Sequence, residues 1–150
     1  MIKKDKNLVF NYNMLGHGES NPILLRISLF PELTKVDFGY ITTDKYNYGG
    51  WIKISPDTFI EDVVTKERYK LTNATGITIA PAKRNFESNK DWQYFSLFFP
   101  PIRQKDTLIN IIEKVKGTKN DFNYYNIEIK MADGIEFFDN SILNILKTQS

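Results

Sequence analysis

The sequence predicts an all-β domain, a sandwich or a barrel of about seven to nine short strands. Three observations support this prediction. Period-two patterns of apolar and polar residues dominate the first 130 positions, as in strands with one buried face. Turn signals recur about every ten residues. Finally, 150 residues of which 41% are hydrophobic and 14% aromatic suffice for one domain over residues 1–150.

The first clear strands are predicted at residues 23–29 and 36–42. In the earlier segment every second residue is apolar and lies on one face, whereas Arg26 and Ser28 lie on the other. The members of that apolar face are Ile23, Leu25, Ile27 and Leu29. In the later segment Val36, Phe38 and Tyr40 alternate in the same way. Pro31 lies between the two and has no N–H to donate, which indicates a turn or a crossing between sheets.

The middle of the sequence predicts short strands separated by loops. Strands are expected at residues 51–54 and 68–72, and residues 58–60 fit either a strand or a helical turn. Residues 73–75 match a glycosylation sequon but are interpreted as part of a turn that ends at Gly76. Residues 80–90 are rich in polar residues and are predicted to be a loop.

The strongest predicted strand covers residues 92–99 and ends before Pro100 and Pro101. One of its faces holds Phe95, Leu97 and Phe99, and the other holds Trp92, Tyr94 and Phe98. Because both faces are apolar, the pattern predicts a central strand that is covered on each side.

The last third predicts two further strands, a hairpin turn and a helix. Isoleucines favour a strand over a helix at residues 107–113, and residues 122–129 alternate again. Asp133 and Gly134 predict a hairpin turn with positive φ, after which residues 135–138 could return as a strand. Ile142, Ile145 and Leu146 have helical spacing, which favours a short C-terminal helix.

Five segments resemble a group of uncharacterised bacterial domains. They are residues 50–60 (GWIKISPDTFI), 68–77 (RYKLTNATGI), 95–100 (FSLFFP), 109–113 (INIIE) and 122–127 (FNYYNI). The resemblance covers about residues 22–130. It implies an immunoglobulin-like antiparallel β-sandwich of a kind often found in envelope or secreted proteins. It implies no catalytic residue.

The composition excludes several kinds of chemistry. The chain has no cysteine, so disulfides, thiolate metal sites and cysteine nucleophiles are excluded, and its single histidine, His17, cannot by itself form a His-based metal site or relay. Motifs for a serine nucleophile or a phosphate loop are missing. Asp57, Glu61 and Asp62 could gather after Pro56, but not with the spacing of a calcium loop. We therefore predict no enzyme, no metal and no cofactor, with a carboxylate-dependent glycan hydrolase as the enzymatic alternative.

Charge and hydropathy limit the partners that the protein could have. Twenty basic and 18 acidic residues leave a net charge of +2, which argues against nucleic acid. The basic runs at residues 3–6 and 114–119 are interpreted as solvated loops. No apolar stretch fits a signal peptide or a membrane span. Two cellular locations stay open. The resemblance implies an envelope or secreted protein, whereas a missing leader favours a cytoplasmic one. The oligomeric state is also open.

Aromatic residues around a glycine loop are the best candidate contact surface. Tyr46 and Tyr48 precede Gly49 and Gly50, and Trp51 follows them as a possible anchor. Tyrosine side chains in loops bind sugars or protein surfaces at a low entropic cost. We therefore predict a binding or accessory module that contacts a protein or a glycan through this loop. A structural subunit of an envelope assembly is the alternative, and the apolar stripe of the C-terminal helix is the rival contact surface.

Overall fold

The computed structural model describes residues 6–14, 22–41, 51–76, 78–79, 84–85, 92–113 and 123–137. The strands in the first half are β1 (Leu8–Met14), β2 (Ile23–Leu29), β3 (Thr34–Ile41), β4 (Trp51–Ile54), β5 (Phe59–Asp62) and β6 (Arg68–Lys70). They are followed by β7 (Asn73–Thr75), β8 (Thr78–Ile79), β9 (Arg84–Asn85), β10 (Trp92–Phe99), β11 (Thr107–Ile112), β12 (Tyr124–Ile129) and β13 (Ile135–Glu136). A short 3₁₀ helix, Met131–Asp133, precedes β13.

The described strands form two antiparallel sheets and one small mixed sheet. The six-stranded sheet has the order β13-β1-β2-β3-β10-β7, and the four-stranded sheet has the order β12-β11-β5-β6. In the small sheet β4 lies between β8, to which it is parallel, and β9, to which it is antiparallel. The prediction of an all-β fold with antiparallel sheets is therefore confirmed.

One hydrophobic core is shared by the two larger sheets. Phe38 of the six-stranded sheet stacks on Phe95 with ring centroids 5.1 Å apart. Phe38 also meets Tyr124 of the four-stranded sheet, with centroids 5.3 Å apart. The Tyr124 hydroxyl donates a hydrogen bond of 2.5 Å to the carbonyl oxygen of Pro22, and burial raises the pKa of this tyrosine well above its usual value. The contact between Phe38 and Tyr124 thus joins the sheets at the centre of the core.

Most predicted strands are found where the alternation predicted them. Residues 23–29, 51–54 and 92–99 are strands with those bounds, and the ambiguous residues 107–112 are a strand. Phe95, Leu97 and Phe99 are buried on the predicted core face of β10. The expectation that β10 is covered on both sides holds at Phe98, which is buried, and is wrong at Tyr94, which is largely exposed.

A β-bulge in β2 makes the predicted face of Leu25 wrong. Leu24 pairs with Phe38, and the next pair joins Arg26 to Asp37. Leu25 is therefore an extra residue in the ladder, and an extra residue reverses the side-chain alternation. In consequence Leu24, rather than Leu25, is buried in the core together with Ile27.

Three predicted turns or loops are corrected by long-range strand pairing. The sequon residues Asn73–Thr75 form β7 and pair with β10, and Arg84–Asn85 of the predicted loop form β9. Gly134 has a φ of −72°, so no hairpin turn of positive φ forms there. Instead, β13 pairs with β1 in the other sheet. Each pairing is made with a strand distant in sequence, which local turn propensity cannot detect.

Several expectations lie outside the described residues. These are His17, the aromatic residues Tyr46 and Tyr48, the basic runs at 3–6 and 114–119 apart from Lys6, and the C-terminal stripe of Ile142, Ile145 and Leu146 with its predicted helix. Within the described ranges, no helix has the length and apolar character needed to cross a membrane.

Candidate functional site

A row of polar residues crosses the outer face of the six-stranded sheet, the face opposite the shared core. The register pairs Arg26 of β2 with Asp37 of β3, and Asp37 with Ser96 of β10. Ser96 in turn pairs with Thr75 of β7. The neighbours of Asp37 and Ser96 along their strands are core residues, so strand alternation directs these polar side chains outward. We call these four residues the polar row.

The carboxylate at the centre of the polar row accepts hydrogen bonds at both oxygens. Arg26 Nε donates to Asp37 Oδ2 at 2.9 Å, and Ser96 Oγ donates to Oδ1 at 2.5 Å. Lys35 Nζ lies 3.2 Å from Oδ1. Because Asp37 is buried, these three donors offset the cost of removing its charge from water. Asp37 therefore holds Arg26 and Ser96 in fixed positions.

Arg26 keeps hydrogen-bonding capacity beyond its contact with Asp37. Its side chain is 50% exposed and uses only Nε for the ion pair. Among the residues that the structure describes, its terminal guanidinium nitrogens have no partner. The polar row thus presents a fixed cation at its β2 end.

An apolar row runs beside the polar row, one step along the strands. Gly39 of β3 pairs with Tyr94 of β10, and Leu25, displaced by the bulge, reaches over the same glycine. A Cβ on Gly39 would lie 2.9 Å from Leu25 Cδ1 and 3.3 Å from Tyr94 Cδ1 and Cε1. The missing side chain at Gly39 therefore lets both residues close over the sheet, while Tyr94 remains 65% exposed. Leu25, Gly39 and Tyr94 form the apolar row.

The two rows enclose a groove of about 310 Å³. Its lining includes Leu25, Arg26, Asp37, Tyr94 and Ser96. This volume is at the lower end of the range for small-molecule sites. The groove therefore offers an exposed aromatic ring, a guanidinium group and hydroxyl groups to a ligand of modest size.

A second groove, on the outer face of the four-stranded sheet, is smaller, and its cation already has partners within the groove. Its volume is about 130 Å³, and its lining includes Phe59, Glu61, Arg68 and Tyr125. The Arg68 guanidinium lies 4.5 Å above the Phe59 ring, and its Nε donates to Glu61 Oε2 at 3.0 Å. Since this cation already has an aromatic face and a carboxylate, the groove on the six-stranded sheet is the better candidate.

The aromatic-loop site lies mostly outside the described residues, so it stays a prediction. This is the case for Tyr46 and Tyr48. Trp51 begins β4, where its backbone pairs with Asn85, and its side chain is outside the described part.

The acidic residues after Pro56 have separate partners. Asp57 lies 3.6 Å from Lys70 Nζ, and Glu61 binds Arg68. Asp62 Oδ1 accepts from the amides of Val64 and Thr65 in a turn. Within the described ranges, no three His, Asp or Glu side chains are grouped as metal ligands would be.

Sequence reasoning did not identify the residues of the groove. The alternation pattern marks Arg26 only as a polar position of a predicted strand, does not single out Ser96, and places Tyr94 on a covered face. A usable signal existed, because polar residues that interrupt strongly apolar strands mark an outward face. Which of them become neighbours depends on strand order and register, and the sequence shows neither.

Comparison of the chain with protein-family models, with curated proteins and with solved structures finds no match. The resemblance to bacterial immunoglobulin-like domains therefore stays a prediction.

Proposed function

We propose that this protein is a non-enzymatic binding module that holds a glycan in the groove on its six-stranded sheet. One observation carries the proposal: the exposed ring of Tyr94 lies beside the polar row in a single groove. An aromatic ring next to fixed hydrogen-bonding groups is a common arrangement of binding sites that orient a small ligand.

The two rows match the chemistry of a sugar ring. A pyranose has an apolar face of C–H bonds and a rim of hydroxyl groups. The C–H face would pack on Tyr94, whose ring face carries negative partial charge. The rim would reach Arg26, Ser96 and Thr75, since adjacent outward positions of a strand are about 7 Å apart. A groove of about 310 Å³ suits a small ligand, whereas a stable protein interface needs a surface of roughly 800 Å² on each partner, which favours a glycan over a protein.

The contacts that Asp37 already makes support binding of a glycan rather than its hydrolysis. A glycoside hydrolase generally needs two carboxyl groups, one of which donates a proton to the leaving group. Asp37 is the acidic residue among the described residues that line the groove, and Arg26, Lys35 and Ser96 occupy both of its oxygens. A carboxylate held in this way is suited to positioning its neighbours.

We also infer a sandwich arrangement for the two larger sheets. Their shared core supports it, because two sheets that pack face to face bury their inner side chains together. The specific immunoglobulin-like topology stays a prediction. It must accommodate β1, β2 and β3 as consecutive neighbours in one sheet, whereas the B and C strands of immunoglobulin domains lie in different sheets.

A glycan array followed by calorimetric titration tests the proposed function. We expect the native protein to bind at least one glycan and Tyr94→Ala to weaken that binding at least about tenfold, the loss expected for a stacked aromatic contact. Tyr125→Ala is the matched control, since Tyr125 is 40% exposed but lies on the other sheet.

Two results would overturn the proposal. One is the failure of the native protein to bind any glycan on the array. The other is a loss of binding in the Tyr46→Ala, Tyr48→Ala double variant with full binding in Tyr94→Ala, which would transfer the site to the predicted aromatic loop.

A further inference from the structure

We infer that the glycan is acidic and that Arg26 binds the carboxylate of a uronic acid residue. This inference rests on the proposed function, because it assigns a ligand class to the same groove. Its first support is the charge of the site. Arg26 and Lys35 contribute two positive charges against the single negative charge of Asp37, so the site has one positive charge in excess.

The two cations are not equivalent, and their burial shows which one can meet a ligand. The side chain of Lys35 is 13% exposed, and its Nζ lies 3.2 Å from Asp37 Oδ1. Lys35 therefore neutralises Asp37 beneath the surface. The charge of Arg26, whose side chain is 50% exposed, is then not cancelled by its own ion pair. The surplus charge is thus located on Arg26.

The orientation of Arg26 leaves the end of its guanidinium group available. Asp37 Oδ2 accepts from Nε at 2.9 Å, so the contact is made on the side of the group. The two terminal nitrogens lie on the far side of Cζ from Nε. Within the described part of the structure they have no hydrogen-bond partner. Terminal guanidinium N–H groups form a planar fork that matches a carboxylate bidentately. Because Asp37 restricts the side chain, less conformational entropy is lost when a ligand binds.

The spacing of the two rows fits a uronic acid. In a hexuronate the carboxylate is attached at the edge of the pyranose ring. A ring on Tyr94 would extend its edge toward the polar row, about 7 Å away along the strands. Ser96 and Thr75 continue that row and present hydroxyl groups to the hydroxyls of the sugar. A neutral sugar would leave the Arg26 fork without a partner.

The discriminating experiment compares two ligands with the same sugar backbone, one with free carboxylates and one in which each carboxylate is neutralised as a methyl ester. Tetragalacturonate and its fully methyl-esterified form have the same sugar units and the same ring faces. We expect the native protein to bind the acid at least about tenfold more tightly than the ester. This preference should decline as the salt concentration rises, because the Arg26 side chain is half exposed to solvent.

Variants of Arg26 test whether it is the source of the preference. In Arg26→Gln the acid and the ester should bind alike, and Arg26→Lys should keep part of the preference, because it keeps the charge but loses the fork. Lys130→Gln, which removes an exposed charge directly after β12 of the other sheet, is the matched control and should preserve the preference. Unfolding midpoints verify that the variants fold. If Arg26→Gln does not fold, Arg26→Lys and the native comparison still decide the question.

The failure of this inference can be distinguished from failure of the proposed function. If the native protein binds the ester as tightly as the acid, or binds neither while the array identifies a neutral glycan, then the acidic ligand class is wrong and the glycan-binding groove stands. A preference for the acid that persists in Arg26→Gln would assign the recognition to another cation. If the array finds no glycan at all, both proposals are overturned.

Discussion

Truncation of one core residue tests the assignment of faces on β10. Leu97 is fully buried and pairs with Val36 of β3 and Ala74 of β7. Leu97→Ala removes the equivalent of roughly three buried methylene groups, at about 0.8 kcal/mol each. This transfer term is roughly 2.4 kcal/mol, and the cavity left in a close-packed core adds to it, so we expect a loss of about 2–5 kcal/mol. The large effect follows from the position of Leu97 in a central strand, where relaxation around the cavity is restricted.

Urea denaturation monitored by tryptophan fluorescence measures this loss. At about 2–4 °C per kcal/mol for a domain of this size, the melting temperature should decrease by on the order of 10 °C. Val64→Ala is the control, because Val64 is 70% exposed and such truncations usually change stability by less than about 0.5 kcal/mol. If Leu97→Ala costs no more than this control, the inward face of β10 has been misassigned and the shared core is wrong.

Three further predictions concern two glycines and a buried carboxylate. Gly76→Ala should destabilise the fold by about 1–2 kcal/mol or more, since Gly76 has a φ of 79° and an added Cβ would lie 2.5 Å from the carbonyl oxygen of Tyr94. An added Cβ at Gly39 would instead meet the flexible end of Leu25 at 2.9 Å and the edge of the Tyr94 ring at 3.3 Å. Both are side chains that can shift, so Gly39→Ala should leave the unfolding midpoint nearly unchanged but weaken glycan binding. Equal destabilisation by the two substitutions would contradict this reasoning. Burial raises the pKa of Asp62, but hydrogen bonds from two turn amides and a threonine hydroxyl outweigh it, so its net pKa lies below the usual value. The ionised group therefore stabilises the fold above pH about 4, and the stability advantage of the native protein over Asp62→Asn should decrease as the pH falls through the lowered pKa. A difference that stays constant from pH 7 to pH 2 would refute the role of ionisation.

The sequence predicted the strands best where side chains of one kind recur with period two. Val36 and Phe38 of β3, and Phe95 and Leu97 of β10, are buried as their alternation indicated. Hydrophobic burial requires only that one face of a strand be apolar, and that requirement is visible in the sequence itself. The same reasoning failed at Leu25, because a bulge changes the face of a residue without changing the composition around it.

For the candidate site, the sequence could predict which polar residues face outward but not that they meet. Arg26, Asp37 and Ser96 are polar residues within apolar strands, so their outward orientation could be inferred from the pattern. Their meeting in one row could not be inferred, because Asp37 and Ser96 are 59 positions apart. The exposure of Tyr94 depends on whether another part of the chain covers the outer face of the sheet. The residues next to Tyr94 in the sequence do not indicate this.

The sequence by itself determined the all-β class, the positions of the principal strands and the lack of cysteine-based chemistry. These properties follow from composition and from contacts between near neighbours in the chain. Only the tertiary structure decided the strand order β1-β2-β3-β10-β7 within the six-stranded sheet, and with it the alignment of the polar row beside Gly39 and Tyr94. The physical reason is that hydrogen bonds between strands are made by backbone groups common to all residues, so the pairing partner and register are selected by packing of the whole core.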